Sequence, residues 1–300
     1  MAEVVILKGK TKREEEFRRA IDDEDLSLNL SSKQLTELEL TPLEKCASLR
    51  EIWLYDNKFE KLDLSSLAHC QELLELNLSY NQLKELNLDP LAKCRFFEEL
   101  ALNNNQLRKL DLQPLAECSR LKELSFDNNQ LREIELQPLS NCRNLQELSL
   151  HNNQLRELDL TPIQNCQKLK GLYISGNLLR DVDLSPIKKC QELTWLFLAD
   201  NQLSEINLEP LKKCQKLTWL SLTSNQLREL DLSPLQQCKE LTWLSLDKNQ
   251  LKKLDLTPLV NCPKLETFFL DSNVTHQWEN GSLNAEELPE GLKKFLEKDD

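Results

Sequence analysis

The sequence lacks most of the features that assign a protein quickly. No stretch approaches the roughly 18 consecutive apolar residues of a membrane span, so no membrane association is expected. Positive charge is short: 38 lysines and arginines face 50 acidic residues, for a formal charge of −12. Phosphate backbones demand basic surface, so nucleic acid is not an expected ligand. Near the start, the apolar run covers only Val4–Leu7 and has acidic residues on both sides, unlike a secretory signal, which makes a cytoplasmic chain the expectation. No glycine-rich phosphate loop occurs. Histidine is limited to His69, His151 and His276, far apart in register, whereas a metal centre wants three or four ligands. No cofactor or metal is expected. Without an exposed cysteine or an activated serine, neither is catalysis.

Cysteine is present, but not as a disulfide framework. The ten cysteines, from Cys46 to Cys262, are separated by 24 residues at every step, and no CxxC pair or terminal cysteine cluster occurs. Even spacing of single cysteines describes one buried slot used ten times, with Cys serving as a small hydrophobe. Reduced, packed thiols are expected.

The same period governs the whole chain, whose repeating unit is LxxLxLxxNxLxxLxLxPLxxCxx. Asparagine recurs every 24 residues from Asn57 to Asn273, and proline from Pro42 to Pro258 with Ser66 as the exception. In "LREIWLYDN" (Leu49–Asn57), Ile52 and Leu54 alternate with Glu51, Trp53 and Tyr55, which predicts a short strand with one face buried. The following asparagine is suited to bond backbone groups of its own and neighbouring coils. Thr, Ser or Asp before Pro reads as a side-chain N-cap with Pro at the first turn position, opening a short helical turn that buries Leu and Cys together. Gln113 and Gln137 replace that cap, so those two turns are expected to start less sharply. Two flanking columns, Arg108, Arg132, Arg156, Arg180 and Arg228 beside Asp111, Glu135, Asp159, Asp183 and Asp231, read as ion pairs between coils.

These repeats resemble the leucine-rich repeat family, whose LxxLxLxxN consensus matches from about residue 26 to 273. The resemblance implies an α/β fold: a horseshoe-shaped solenoid with a concave parallel β-sheet, short helical turns on the convex side, and a cap at each end. The expected division is an N-terminal cap over 1–25, the solenoid over 26–273 and a C-terminal cap over 274–300. "REEEFRRAI" predicts a capping helix with Phe17, Ala20 and Ile21 on one face; Leu288, Leu292, Phe295 and Leu296 predict another, and Trp278 is expected to close the last coil.

Once core, turns and caps are accounted for, the exposed strand positions remain. Glu51, Glu75, Glu99, Glu123 and Glu147 form one column at roughly the 4.8 Å strand spacing, where like charges repel. After Gly171 the column continues as Trp195, Trp219 and Trp243, and exposed apolar surface of this kind marks interaction sites. Gly171 is expected to leave a notch bounded by Tyr173, Trp195 and Phe197, and Gly176 to loosen the strand end. His151, near Asp127 and Glu147, is expected to serve as a polar contact. The family resemblance implies a protein–protein interaction module. Its partner would be a protein or a basic peptide, with Trp195, Trp219, Trp243, Tyr173 and Phe197 as the apolar centre and Glu99, Glu123, Glu147 and His151 around it. Alternatives are an engineered or recently duplicated scaffold with no partner, a regulator of small GTPases, and self-association of an otherwise monomeric chain through the tryptophans.

Overall fold

The computed structural model describes residues 3–278 and 288–299. Packing divides the chain into two compact units, 1–153 and 154–300. The expected caps lie inside these units, at the start of the first and the end of the second.

Four strands open the first unit: β1 (Val4–Thr11), β2 (Glu16–Asp22), β3 (Ser27–Asn29) and β4 (Leu35–Glu39). The expected N-terminal helix is not formed. Its residues make β2, antiparallel to β1 from Val4↔Asp22 to Lys10↔Glu16, and β1 pairs antiparallel with β4 on its other edge. "EEEFRR" is rich in helix formers, but propensity is a weak prior that tertiary pairing overrides. The deciding segment is "VVILKGKT", which buries Val5 and Leu7 and exposes Val4 and Ile6 in strand alternation, and a strand needs a partner. Gly9 permits the close approach of β4, because a Cβ there would stand 2.2 Å from the Glu37 carbonyl oxygen.

From β3 onward the coils repeat. β3 is followed by β5 (Glu51–Trp53), β6 (Glu75–Asn77), β7 (Glu99–Ala101), β8 (Glu123–Ser125) and β9 (Glu147–Ser149), joined in parallel, each residue opposite its copy 24 positions on. Each strand has three residues, the middle one buried. The second unit repeats the pattern with β10 (Gly171–Tyr173), β11 (Trp195–Phe197), β12 (Trp219–Ser221), β13 (Trp243–Ser245) and β15 (Thr267–Phe269). A smaller parallel pair, β14 (Lys253–Asp255) and β16 (Thr275–Gln277), lies near its end.

The asparagine ladder forms as the sequence requires. In the first unit, Nδ2 of Asn57, Asn81, Asn105, Asn129 and Asn153 donates to carbonyls 3 and 27 residues back at 2.9–3.1 Å. Oδ1 of each accepts an N–H from 22 residues back at 3.0–3.2 Å. Each amide thereby satisfies backbone groups of two coils in the dry interior, where an unmade bond is costly. Asn273, expected to continue the ladder, is exposed and makes no ladder bond among the described residues. The residue before the ladder asparagine has positive φ in most coils, from 51° at Asp200 to 58° at Asn104. Gly176 occupies that position with φ 69°, so it fits the left-handed turn rather than loosening the strand end.

The turns opposite the strands are five-residue 3₁₀ segments, from Thr41–Lys45 to Thr257–Asn261, each burying a Leu or Ile and followed by a buried Cys. Their starts differ from expectation. Thr, Ser or Asp before Pro is already inside the turn; the N-cap is the preceding leucine, with no side-chain cap bond. The capping oxygen comes from two residues earlier: the N–H of Gln113, Thr161, Ser185 and Ser233 donates to Oδ1 of Asp111, Asp159, Asp183 and Asp231 at 2.8 Å. Glu135 does the same for Gln137, so the two glutamine turns start as sharply as the rest. The acidic column read as ion-pair partners is therefore the cap column. Among the described residues no ion pair joins it to Arg108, Arg132, Arg156, Arg180 or Arg228; coil-to-coil pairs form elsewhere, as at Lys122–Glu98, Lys216–Glu192 and Lys264–Glu240.

All ten cysteines are free and buried. Beyond the first coil their thiols rest against backbone carbonyls of the preceding coil, for example Cys94 Sγ at 3.5 Å from the Cys70 oxygen and Cys262 Sγ at 3.3 Å from the Leu235 oxygen. Burial raises Cys70, Cys94, Cys142, Cys214 and Cys238 to about 12. At the end of the chain the expected helix forms as α1 (Glu290–Asp299), with Leu292 and Phe295 buried, Leu296 half-buried and the Phe295 ring 5.1 Å from Phe268; Leu288, expected on the same helix, is buried two residues before it begins. Gly291 lets the helix close on β15, its N–H donating to the Leu265 carbonyl at 2.8 Å. Trp278 is half-buried, edge-on to His276. Residues 279–287 of the expected C-terminal cap lie outside the described residues.

Candidate protein-interaction surface

Two unlike surfaces come from the exposed strand positions, one in each unit. In the first unit Glu51, Glu75, Glu99, Glu123 and Glu147 stand in direct register. Their crowding leaves a mark on Glu99, whose carboxyl is pushed above its ordinary range first by burial and then by Glu123 and Glu75. Trp53 and Lys122 relieve part of the column. Trp53 Nε1 donates to Glu75 at 2.7 Å, and the positive Lys122 ammonium, held 2.5 Å from Glu98, draws the Glu99 carboxyl part of the way back down.

Beyond the strand ends, the polar positions bond one another. Ser79 Oγ donates to Asn103 at 2.5 Å, and Ser125 Oγ to Asp127 at 3.2 Å. Asp127 also accepts from the Ser149 hydroxyl and, at 2.8 Å, from the backbone N–H of His151. The approach of His151 to Asp127 is thus through its main chain. A carboxylate so occupied is a structural acceptor rather than a base or a ligand, and no metal-binding cluster is found among the described residues.

In the second unit the exposed positions carry rings. Tyr173 and Phe197 stack with centroids 5.5 Å apart, Phe197 meets Trp219 edge-on at 6.0 Å, Trp219 stacks on Trp243 at 5.4 Å and Trp243 leans on Phe269 at 5.3 Å. This file departs from the expected column of three tryptophans. Trp195 is in strand register with Trp219 and half-buried, yet joins no ring pair among the described residues. The file crosses from the second exposed position, Phe197, to the first, Trp219, and returns at Phe269. Trp219 and Phe269 are each 40% exposed. Phe269 was not among the residues the sequence singled out; its signal was an aromatic in the same column as Tyr173 and Phe197.

The notch expected at Gly171 is filled. An added Cβ would lie 2.4–2.6 Å from the ring and hydroxyl of Tyr173, so the tyrosine lies over the buried glycine. Gly171 seats Tyr173 and leaves no vacancy for an incoming side chain. Beneath the rings the polar floor is closed: Ser221 and Ser245 share a hydrogen bond of 2.9 Å, and Thr223 donates to Asp247 at 2.7 Å.

Family models for the leucine-rich repeat match residues 143–203, 167–227 and 215–274, and a two-copy model of the same repeat matches 119–162. An internalin C2 structure from Listeria monocytogenes is 32% identical over 68% of this chain and 85% of its own, with a TM-score of 0.57. The chain belongs to the leucine-rich repeat family. Repeat domains of this family are general protein-interaction modules and typically non-enzymatic. The functional domain of InlJ from L. monocytogenes, described as including a cysteine ladder, shares the fold at 22% identity and a TM-score of 0.64; the match covers 90% of this chain and 59% of that one. The plant peptide hormone receptor RGFR1, in complex with RGF2, matches at 23% identity and a TM-score of 0.69 over 79% of this chain and 38% of its own. No curated protein matches the sequence.

Proposed function

We propose that this leucine-rich repeat protein is a non-catalytic binding module that captures a protein or peptide on its exposed strand face. The observation that carries the reading is the aromatic file. Five rings touch in sequence on the side of the strands that the core does not use, and two of them remain 40% exposed. Interface centres are enriched in such residues, and truncating one commonly costs about 2 kcal/mol or more. A rigid sheet needs little ordering on binding, which preserves the energy of ring burial. In the first unit, the glutamate column and the net charge of −12 favour a basic segment. RGFR1 with its peptide ligand illustrates the fold in such a role. A reducing, cytoplasmic setting suits ten unbridged thiols.

The test is partner capture from cell extract by the wild type and by a Trp219→Thr/Trp243→Thr variant. The expected result is one reproducible partner retained by the wild type and lost from a folded variant. Equal capture by both would move the site off the file, and capture of nothing by either would leave a scaffold without a partner.

A further inference from the structure

The small sheet at the start of the first unit ends in a free edge. In its order, β2-β1-β4, strand β2 has a neighbour on one side only. The Thr11 N–H donates to the Glu15 carbonyl and the Asp23 N–H to the Glu3 carbonyl, and antiparallel bonding alternates between those two pairs, so the odd-numbered residues of β2 face β1. The N–H and C=O groups of Glu16, Arg18, Ala20 and Asp22 therefore point outward. A turn occupies those of Asp22, whose N–H donates to Asp25 Oδ2 at 3.0 Å and whose carbonyl accepts from the Asp25 N–H at 3.1 Å. Arg18 and Ala20 have no backbone partner on that side among the described residues. Proline, lysine or a bulge commonly blunts such an edge; β2 contains neither proline nor lysine, and its register with β1 is unbroken.

We propose that β2 pairs antiparallel with β2 of a second copy of this chain, about a two-fold axis at Ala20. Within "EFRRAID", the two-fold registers that use the free groups of both Arg18 and Ala20 place Arg18, Arg19 or Ala20 on the axis. The first sets Arg18 against itself. The second sets Arg19 against itself and Glu16 against Asp22, and like charges directly opposite destabilise a strand pair. With Ala20 on the axis, Arg18 of each copy stands opposite Asp22 of the other, and the charges match twice. The present partner of Arg18 is Glu16 at 3.1 Å, a contact between two exposed side chains that holds little against an exchange. Ala20 would trade two backbone bonds with its copy, and each Arg18 N–H would reach the Asp22 carbonyl, whose second lone pair is not used by Asp25. On the outer face Ile6, which stands opposite Ala20 and is 50% exposed, extends into a row of Ile6, Ala20, Ala20 and Ile6. On the other face the stem of Arg19 lies beside Ile21 of the second copy. Such an interface is isologous, the same patch meeting itself. It uses no residue of the aromatic file and is independent of the binding reading above.

Sedimentation velocity of the full chain across a wide concentration range tests the pairing, and a monomer–dimer equilibrium is the expected result. Every substitution acts twice in a two-fold interface. Arg18→Asp and Asp22→Arg should each weaken the dimer at least tenfold, because each replaces both ion pairs with like charges, and the double variant Arg18→Asp/Asp22→Arg should recover most of the wild-type affinity. Both positions are exposed, and circular dichroism confirms that the variants are folded. Ala20→Pro removes an N–H that β1 does not use, so it should abolish the dimer and leave the melting temperature nearly unchanged. A chain that stays monomeric throughout overturns the proposal and leaves the edge without a second copy. Tighter association of Asp22→Arg overturns it as well, since that outcome belongs to the register with Arg19 on the axis. So does a dimer that ignores these changes and disappears in Trp219→Thr/Trp243→Thr, which would place the contact on the aromatic file.

Discussion

Asn129 makes four bonds with one amide: Nδ2 donates to the Leu102, Phe126 and Asp127 carbonyls at 3.0, 3.1 and 3.2 Å, and Oδ1 accepts the Leu107 N–H at 3.0 Å. Alanine there would strand three buried backbone groups at about 1–3 kcal/mol for each one left unmet. Asn129→Ala is accordingly expected to lower unfolding stability by roughly 3 kcal/mol or more, measured by urea denaturation. Asn273→Ala, at the exposed copy of the same position, should change it by less than about 0.5 kcal/mol. Gly171→Ala probes the other surface. Its methyl group collides with the Tyr173 ring and must displace it from Phe197, so near-ultraviolet circular dichroism should lose aromatic signal and stability should fall by about 1 kcal/mol. An unchanged spectrum would mean that the tyrosine does not rest on the glycine.

The strand column and the turn caps respond to pH in opposite senses. Glu99 has its folded pKa raised above 4.5 by burial and by its acidic neighbours. Its contribution to stability is complete below that value and is lost as pH rises through the folded pKa. Melting temperatures of a Glu99→Gln variant should therefore fall less than those of the wild type as pH rises above 4.5, and the gap between them should shrink with added salt. Asp159 and Asp183 are lowered below 3.8 by bonds from Thr161 and Ser185, so their contribution is present above 3.8 and disappears as pH drops through the folded value. Asn87 and Asn207 already hold the cap position in other coils, each accepting at 2.9 Å. Asp183→Asn should thus keep the turn and lose its acid sensitivity, while Asp183→Ala should cost about 1 kcal/mol. The strands, the asparagine ladder and the C-terminal helix were legible because one pattern position has one use, and Asn129 or Leu124 has no alternative. The N-terminal strand pair was not, because "EEEFRR" prefers a helix locally and only pairing with "VVILKGKT" decides otherwise. The cap lies two residues earlier than the pattern suggests because Thr161 and Asp159 both carry an oxygen able to cap a backbone N–H, and only the structure shows that Asp159 takes that of Thr161. On the face, the tryptophans could be named, but the crossing from Phe197 to Trp219 depends on side-chain rotamers that a sequence column does not contain.

At the scale of the whole molecule, the cysteines make folding countable. All ten are buried, and those raised to about 12 carry almost no thiolate near neutral pH. A small disulfide reagent should find essentially no reactive thiols in the native chain and all ten after denaturation. Prompt reaction of several thiols in the native chain would contradict the packing. The ladder bonds, meanwhile, carry a fixed set of offsets: within the first unit each joins an asparagine to partners 3, 22 and 27 residues back, and each strand pairs with the one 24 residues away. Contacts defined only by offset have no origin. Excising residues 106–129 brings Gln130 after Asn105, and Asn153 then meets Leu102 where it had met Phe126, and Leu83 still finds Asn105. Coil number is thus a quantity that unequal recombination can raise or lower one period at a time, leaving every remaining junction grammatical.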